Sequence, residues 1–256
     1  MKKMKNFLKT ATLAFIGAIF LWGTAHAAPI SFKDIHHNWP NWKVQDSDLN
    51  GTPDFLRGTA EVSDAGYLTS LSFEVQAAQS GSAYLNLFRG LTAADLFIDS
   101  NANDKDGWDY VVKSLGHSGT ADQDYNLYNV SQPLGELGPG TATDVNYLLA
   151  TASNYRTGHP VGLKIQSSDN LKGTTNLSGW WGSDVDYNVT YTPTFSFGAT
   201  DILLSDEFTV AFSVMCANDV VYETLATPTP EPATMLLLGT GLVGLAGFGK
   251  KTRKRK

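Results

Sequence analysis

The residues best spaced for chemistry are Asp46-Ser-Asp48-Leu-Asn50-Gly51-Thr52-Pro-Asp54. Side-chain oxygens stand at positions 1, 3, 5 and 9, and glycine stands at position 6. Calcium takes six to eight hard oxygen ligands, and this spacing wraps a tight loop around one ion. Asp46, Asp48 and Asp54 would supply charge, Asn50 a neutral oxygen, Gly51 the sharp turn and the Thr52 carbonyl a further ligand. The expected cofactor is therefore Ca2+, bound weakly. The competing reading is an Asx-rich turn that enters a strand at Phe55.

The loop resembles the D-x-D-x-[DN]-G calcium pattern. Position 12 is Arg57 rather than a bidentate glutamate, and no flanking helices are evident, so an EF-hand is not expected. A second oxygen-rich stretch runs from Asp99 to Asp109, with Asp104 where a calcium loop wants glycine. It reads as a polar hairpin loop.

Catalytic patterns are weak. H-E-x-x-H is absent, and Gly116-His-Ser-Gly-Thr120 misses G-x-S-x-G at its last position. His36 and His37 are adjacent, so on a strand they face opposite ways. His159 precedes Pro160 at a loop edge. With 24 acidic residues between 28 and 230, some carboxylate pair always looks suited to glycoside hydrolysis, so that signal decides nothing. The expectation is a protein that is not an enzyme. Its rival starts from Trp39, Trp42, Trp108, Trp180 and Trp181. An exposed indole stacks on a sugar ring, and two adjacent tryptophans on a strand would leave one of them exposed. That reading is an exported carbohydrate-binding or glycan-active protein.

The elements that must position these residues are strands. Leu71-Ser-Phe-Glu-Val-Gln-Ala77, Val161–Gln166, Val185–Thr192 and Phe208–Val214 alternate apolar and polar residues. Shorter apolar runs occur at Tyr84–Phe88, Leu96–Ile98 and Tyr110–Val112. Turn-forming clusters separate them at 79–82, 100–107, 134–141 and 167–173. The stretch 144–154 is open between a short helix and a strand. Residues 28–226 thus read as one all-β domain, an antiparallel β-sandwich or jelly roll. Cys216 is the only cysteine, so no internal disulfide forms, and it reads as a small buried residue at a strand end.

The two ends of the 256-residue chain are different in kind. Lys2, Lys3, Lys5 and Lys9 precede an apolar run from Ala11 to Trp22, followed by Ala25-His26-Ala27. This order describes a secretory signal peptide, residues 1–27, removed by signal peptidase. At the other end, residues 227–232 form a proline-rich linker ending in Pro230-Glu231-Pro232. Residues 233–249 are apolar and glycine-rich, about 25 Å long as a helix. They suit a short transmembrane helix, and the basic tail 250–256 would stay in the cytoplasm. Gly239, Gly241 and Gly244 match G-x-G-x-x-G by accident. No acidic residue follows them, and a membrane helix uses small residues for close packing. Between the ends, residues 28–230 carry nine basic and 24 acidic residues, a net charge of −15. Such a body repels nucleic acid and attracts cations.

The order Pro230-Glu231-Pro232, apolar glycine-rich helix and terminal basic cluster resembles the PEP-CTERM sorting signal of exported bacterial proteins. The resemblance implies recognition by a membrane-embedded exosortase and cleavage near Pro230–Pro232. It implies an inner-membrane intermediate, then delivery to the cell surface or exopolysaccharide matrix, in a Gram-negative, often biofilm-forming source. Leu96-Phe-Ile98, Trp108-Asp-Tyr110 and Cys216-Ala-Asn-Asp219 are similar to β-sandwich ectodomains found on such proteins, which implies no particular activity. The expected role is a surface or matrix protein with exopolysaccharide as a partner.

Overall fold

The computed structural model describes residues 28–35, 39, 53–76, 91–102, 107–130, 147–151, 158–182, 185–228, 239 and 241. Thirteen strands follow in chain order: β1 (Ile30–Lys33), β2 (Asp54–Val62), β3 (Leu68–Gln76), β4 (Leu96–Asp99), β5 (Tyr110–Val112), β6 (Gln123–Asn129), β7 (Tyr147–Leu149), β8 (Pro160–Leu163), β9 (Asn170–Ser178), β10 (Thr190–Tyr191), β11 (Thr194–Ser196), β12 (Glu207–Ser213) and β13 (Val220–Ala226). Eleven of them form one sheet in the order β1-β2-β3-β11-β9-β6-β5-β4-β12-β13, with β10 also on β3. Every pairing is antiparallel. A separate hairpin pairs β7 with β8.

The all-β antiparallel expectation holds, but the two-sheet sandwich is corrected. The long sheet rolls on itself into a nearly closed barrel. Its ends meet where Ile35 N–H, just past β1, donates to Glu223 Oε1 of β13 at 3.3 Å. Phe55 N–H of β2 donates to Asp219 Oδ2, just before β13, at 2.6 Å. Alternation along a strand says that one face is buried. It does not say whether the opposite wall is a second sheet or the far side of the same one. Bulges between Phe55 and Arg57, Glu61 and Val62, and Leu127 and Tyr128 add the bend that rolling needs.

The barrel interior is aromatic. Phe73 stacks on Phe212 at 5.0 Å and meets Phe55 and Phe195 edge-on. Leu71, Phe73 and Val75 of β3 point inward, as the alternation requires. β4 is apolar on both faces, and β12 is buried on both, because both faces are covered. Leu96, Ile98, Val210 and Phe212 face the interior, whereas Phe97 and Ala211 face a second cluster with Trp39, Trp108 and Tyr147. The β7–β8 hairpin supplies Tyr147 and Leu163 to that outer layer. The stretch 144–154 therefore contains a strand, β7.

Two further expectations change. Residues 167–173 were expected as a turn, but β9 already begins at Asn170. Along Val185–Thr192 only Thr190–Tyr191 is strand, and Tyr187 and Val189 are exposed. The run 84–88 and the turns 79–82 and 134–141 lie outside the described residues, as does the signal peptide 1–27. Among the described residues no helix is long and apolar enough to cross a membrane. Of the expected span 233–249 only Gly239 and Gly241 are described, both helical and exposed.

Candidate functional site

The C-terminal exit of the barrel is held by hydrogen bonds. β12 and β13 pair from Glu207↔Ala226 to Ser213↔Val220. Thr227 then donates its N–H to Asp206 O at 2.9 Å and its Oγ1 to Ser205 O at 2.9 Å. Ser205 N–H in turn donates to Ser100 O at 2.8 Å, after β4. A cavity of about 260 Å³ opens here, lined by Ser63, Asp64, Gly66, Asp206, Thr227 and Pro228 among others. The expected sorting residues Pro230, Glu231 and Pro232 begin two positions beyond Pro228, outside the described residues.

Of the expected calcium ligands, Asp46, Asp48, Asn50 and Thr52 also lie outside them. Asp54 is described and opens β2, half-buried opposite Gln76. Among the described residues no group of three or more His, Cys, Asp or Glu side chains converges on an ion-sized site. The two described carboxylates of the second loop, Asp99 and Asp109, bond within the loop. Asp99 Oδ1 accepts from Asn101 N–H at 3.0 Å, and Asp109 Oδ2 accepts from Ser100 N–H at 2.9 Å and from Ser100 Oγ. That is the behaviour of an Asx-closed hairpin turn.

The tryptophan expectation is corrected. Trp39, Trp108, Trp180 and Trp181 are all buried, and Trp42 lies outside the described residues. Trp180 and Trp181 do not alternate on a strand. β9 ends at Ser178, and Gly179 at φ +71° turns the chain. The two rings then stack on each other at 4.1 Å. Their neighbours' polar groups are used: Trp180 Nε1 donates to Leu91 O at 3.2 Å, Trp39 Nε1 to Pro160 O at 3.2 Å and Trp108 Nε1 to Tyr147 Oη at 3.0 Å. These indoles build the core rather than a sugar platform.

The described histidines and Cys216 are also interior. His117 and His159 are buried, and His117 Nδ1 shares a short hydrogen bond with Tyr125 Oη while its ring packs edge-on against Trp180. Ser118 beside it is exposed. His36 and His37 lie outside the described residues. Cys216 is not in a disulfide and is buried against the barrel core, as expected.

Sequence reasoning missed a fully enclosed charged group. Asp95 is fully buried and pairs with Lys113. Burial pushes its carboxyl above the usual range, against the opposing pull of Lys113 and of the N–H groups of Leu163 and Leu115. Leu115 N–H meets Oδ1 and Leu163 N–H meets Oδ2, each at 2.9 Å. The signal was available: a lone acid inside the apolar run Ala93-Ala94-Asp95-Leu96-Phe97-Ile98 must be partnered when that run folds inward.

A family model described as a PEP-CTERM protein-sorting motif matches residues 228–254. Its first residue directly follows the hydrogen-bonded Thr227. No curated protein and no solved structure matches the chain. The motif implies exosortase processing, and proteins that carry it are exported and sorted to the cell surface. The acidic barrel is thus the body of an exported protein that bears a PEP-CTERM sorting motif at its C-terminus.

Proposed function

We propose that the barrel is a non-catalytic surface or exopolysaccharide-matrix module, delivered by its C-terminal motif. The supporting observation is the junction: the matched segment starts at residue 228, immediately after Thr227, which is hydrogen-bonded to the barrel. Everything folded upstream is cargo for that segment. On this reading the apolar stretch 233–249 and the basic tail 250–256 hold the precursor in the inner membrane of a Gram-negative cell. Processing near Pro230–Pro232 then releases the body outward. Replacing Pro230, Glu231 and Pro232 with alanine should leave the protein in the membrane with its tail attached. Mass spectrometry of released wild-type protein decides the point, and an intact Lys250–Lys256 tail on that material refutes it.

The rival is a glycan-active or glycan-binding protein on the same barrel. The burial of Trp39, Trp108, Trp180 and Trp181 takes away four of the five tryptophans that first suggested it. A glycan array combined with a hydrolysis screen separates the two. Turnover abolished by a single carboxylate substitution would overturn the non-catalytic reading.

A further inference from the structure

We propose that Asp95 and Lys113 are the reacting pair of an intramolecular isopeptide bond, which staples the exported barrel covalently. The pairing follows from register. β4 and β5 pair Leu96 with Val112, and one more step places Asp95 opposite Lys113. Cross-strand neighbours hold their side chains in mutual reach. The Lys113 ammonium contacts Asp95 Oδ2 directly and donates to Leu163 O at 2.7 Å.

The surroundings are built for a neutral reaction rather than an exposed ion pair. Asp95 is fully buried, and the Lys113 side chain is 21% exposed. Gly162 closes over the carboxyl so tightly that a Cβ there would sit 2.6 Å from Oδ2. Burial favours the uncharged acid, and proton transfer from Lys113 to Asp95 gives the acid and amine that condense. The Nζ lone pair then attacks Cγ. Leu115 N–H, 2.9 Å from Oδ1, donates a hydrogen bond that stabilises the negative charge developing on that oxygen. Oδ2, held by Leu163 N–H, takes up one proton from the attacking nitrogen besides its own and leaves as water. One C–O bond breaks, one C–N bond forms, and the balance is carboxylic acid plus amine giving amide plus water, with no redox partner. Holding both groups in one geometry supplies an effective concentration of about 10⁵–10⁸ M, which drives a condensation that free solutes resist. The product amide N–H retains Leu163 O as its acceptor.

The benefit is specific to this chain. Its single cysteine excludes an internal disulfide, and an exported protein meets proteases without repair. The bond would lock β4 and β5, two strands in the middle of the sheet.

The test is mass spectrometry of the protein recovered from exporting cells. The expected intact mass is one water below that calculated from its termini. Trypsin should leave Lys113 uncut and yield one branched species joining residues 90–105 to residues 106–156. Lys113→Arg keeps the charge but should restore the full mass. The peptide map reads wild-type protein, so it decides even where the variant folds poorly. Full mass with a free 90–105 peptide and cleavage after Lys113 would overturn the proposal and leave an ordinary ion pair. So would loss of water without the branched species, as from ring closure at Asp106-Gly107.

Discussion

Tyr147 sits at the centre of the outer cluster, and burial pushes its phenol well above the ordinary tyrosine range. Below about pH 10 the phenol is neutral in both folded and unfolded chains, and its contribution to stability is complete. As pH rises further the unfolded phenol ionises first, so stability falls. Thermal melts should therefore be flat through neutral pH and drop above about pH 10. Tyr147→Phe should lessen that drop, with Tyr110, Tyr125 and Tyr222, also raised by burial, keeping some of it. The same change strips Trp108 Nε1 of its acceptor, at a cost of about 1–3 kcal/mol at neutral pH. An unaltered alkaline profile in the variant would show that Tyr147 is not the titrating group. The calcium expectation belongs to this scale too. Binding at about 10⁻⁴–10⁻³ M would add roughly 1.4 kcal/mol at ten times Kd. Wild type should melt higher in millimolar calcium than in chelator, and Asp48→Ala should abolish the difference. Identical wild-type melts at matched ionic strength would reduce the loop to a turn.

At the scale of elements, β1 depends on a hole in β2. Phe32 of β1 fills the space over Gly58, where a Cβ would lie 2.2 Å from its ring. The ring also meets Phe73 edge-on at 6.3 Å. Gly58→Ala should evict Phe32 and cost about 1–3 kcal/mol by overpacking. Faster hydrogen exchange at Ile30–Lys33, with β12 unchanged, would show that the loss is confined to this edge of the sheet. An unchanged melt would mean that the ring moves freely. Legibility in the sequence follows the same physics. β3, β4, β5 and β12 could be read because a strongly apolar face marks each one. β9 could not, since only Thr175 and Leu177 of its nine residues are buried. Its Thr175 Oγ1 instead donates to Ser196 O at 2.8 Å. The sorting segment was legible because its parts are consecutive. The Asp95–Lys113 pair was not, because no local pattern reveals which strands become neighbours.

At the scale of the molecule, the barrel keeps its apolar mass inside while residues 28–230 carry −15. That charge sustains solubility outside the cell and disfavours contact with anionic lipid headgroups. The clasp at Thr227 turns this into a question of clearance. From Thr227 to Pro230 the chain has only three steps, about 10 Å when fully extended. A processing enzyme must fit its catalytic cleft into that stand-off, beneath a folded and negatively charged body. On the proposed reading, steric access, rather than motif recognition alone, would set the rate at which precursor matures. Inserting a short Gly-Ser spacer between Thr227 and Pro228 should speed maturation in a pulse-chase experiment. Thr227→Ala, which frees Oγ1 from the Ser205 carbonyl, should act in the same direction but more weakly. Equal rates for all three chains would mean that the enzyme reaches its bond without meeting the barrel. Slower maturation with the spacer would mean that the barrel presents the bond to the enzyme. Faster maturation of Thr227→Ala would make the hydroxyl of one threonine a timer on how long the protein stays tethered.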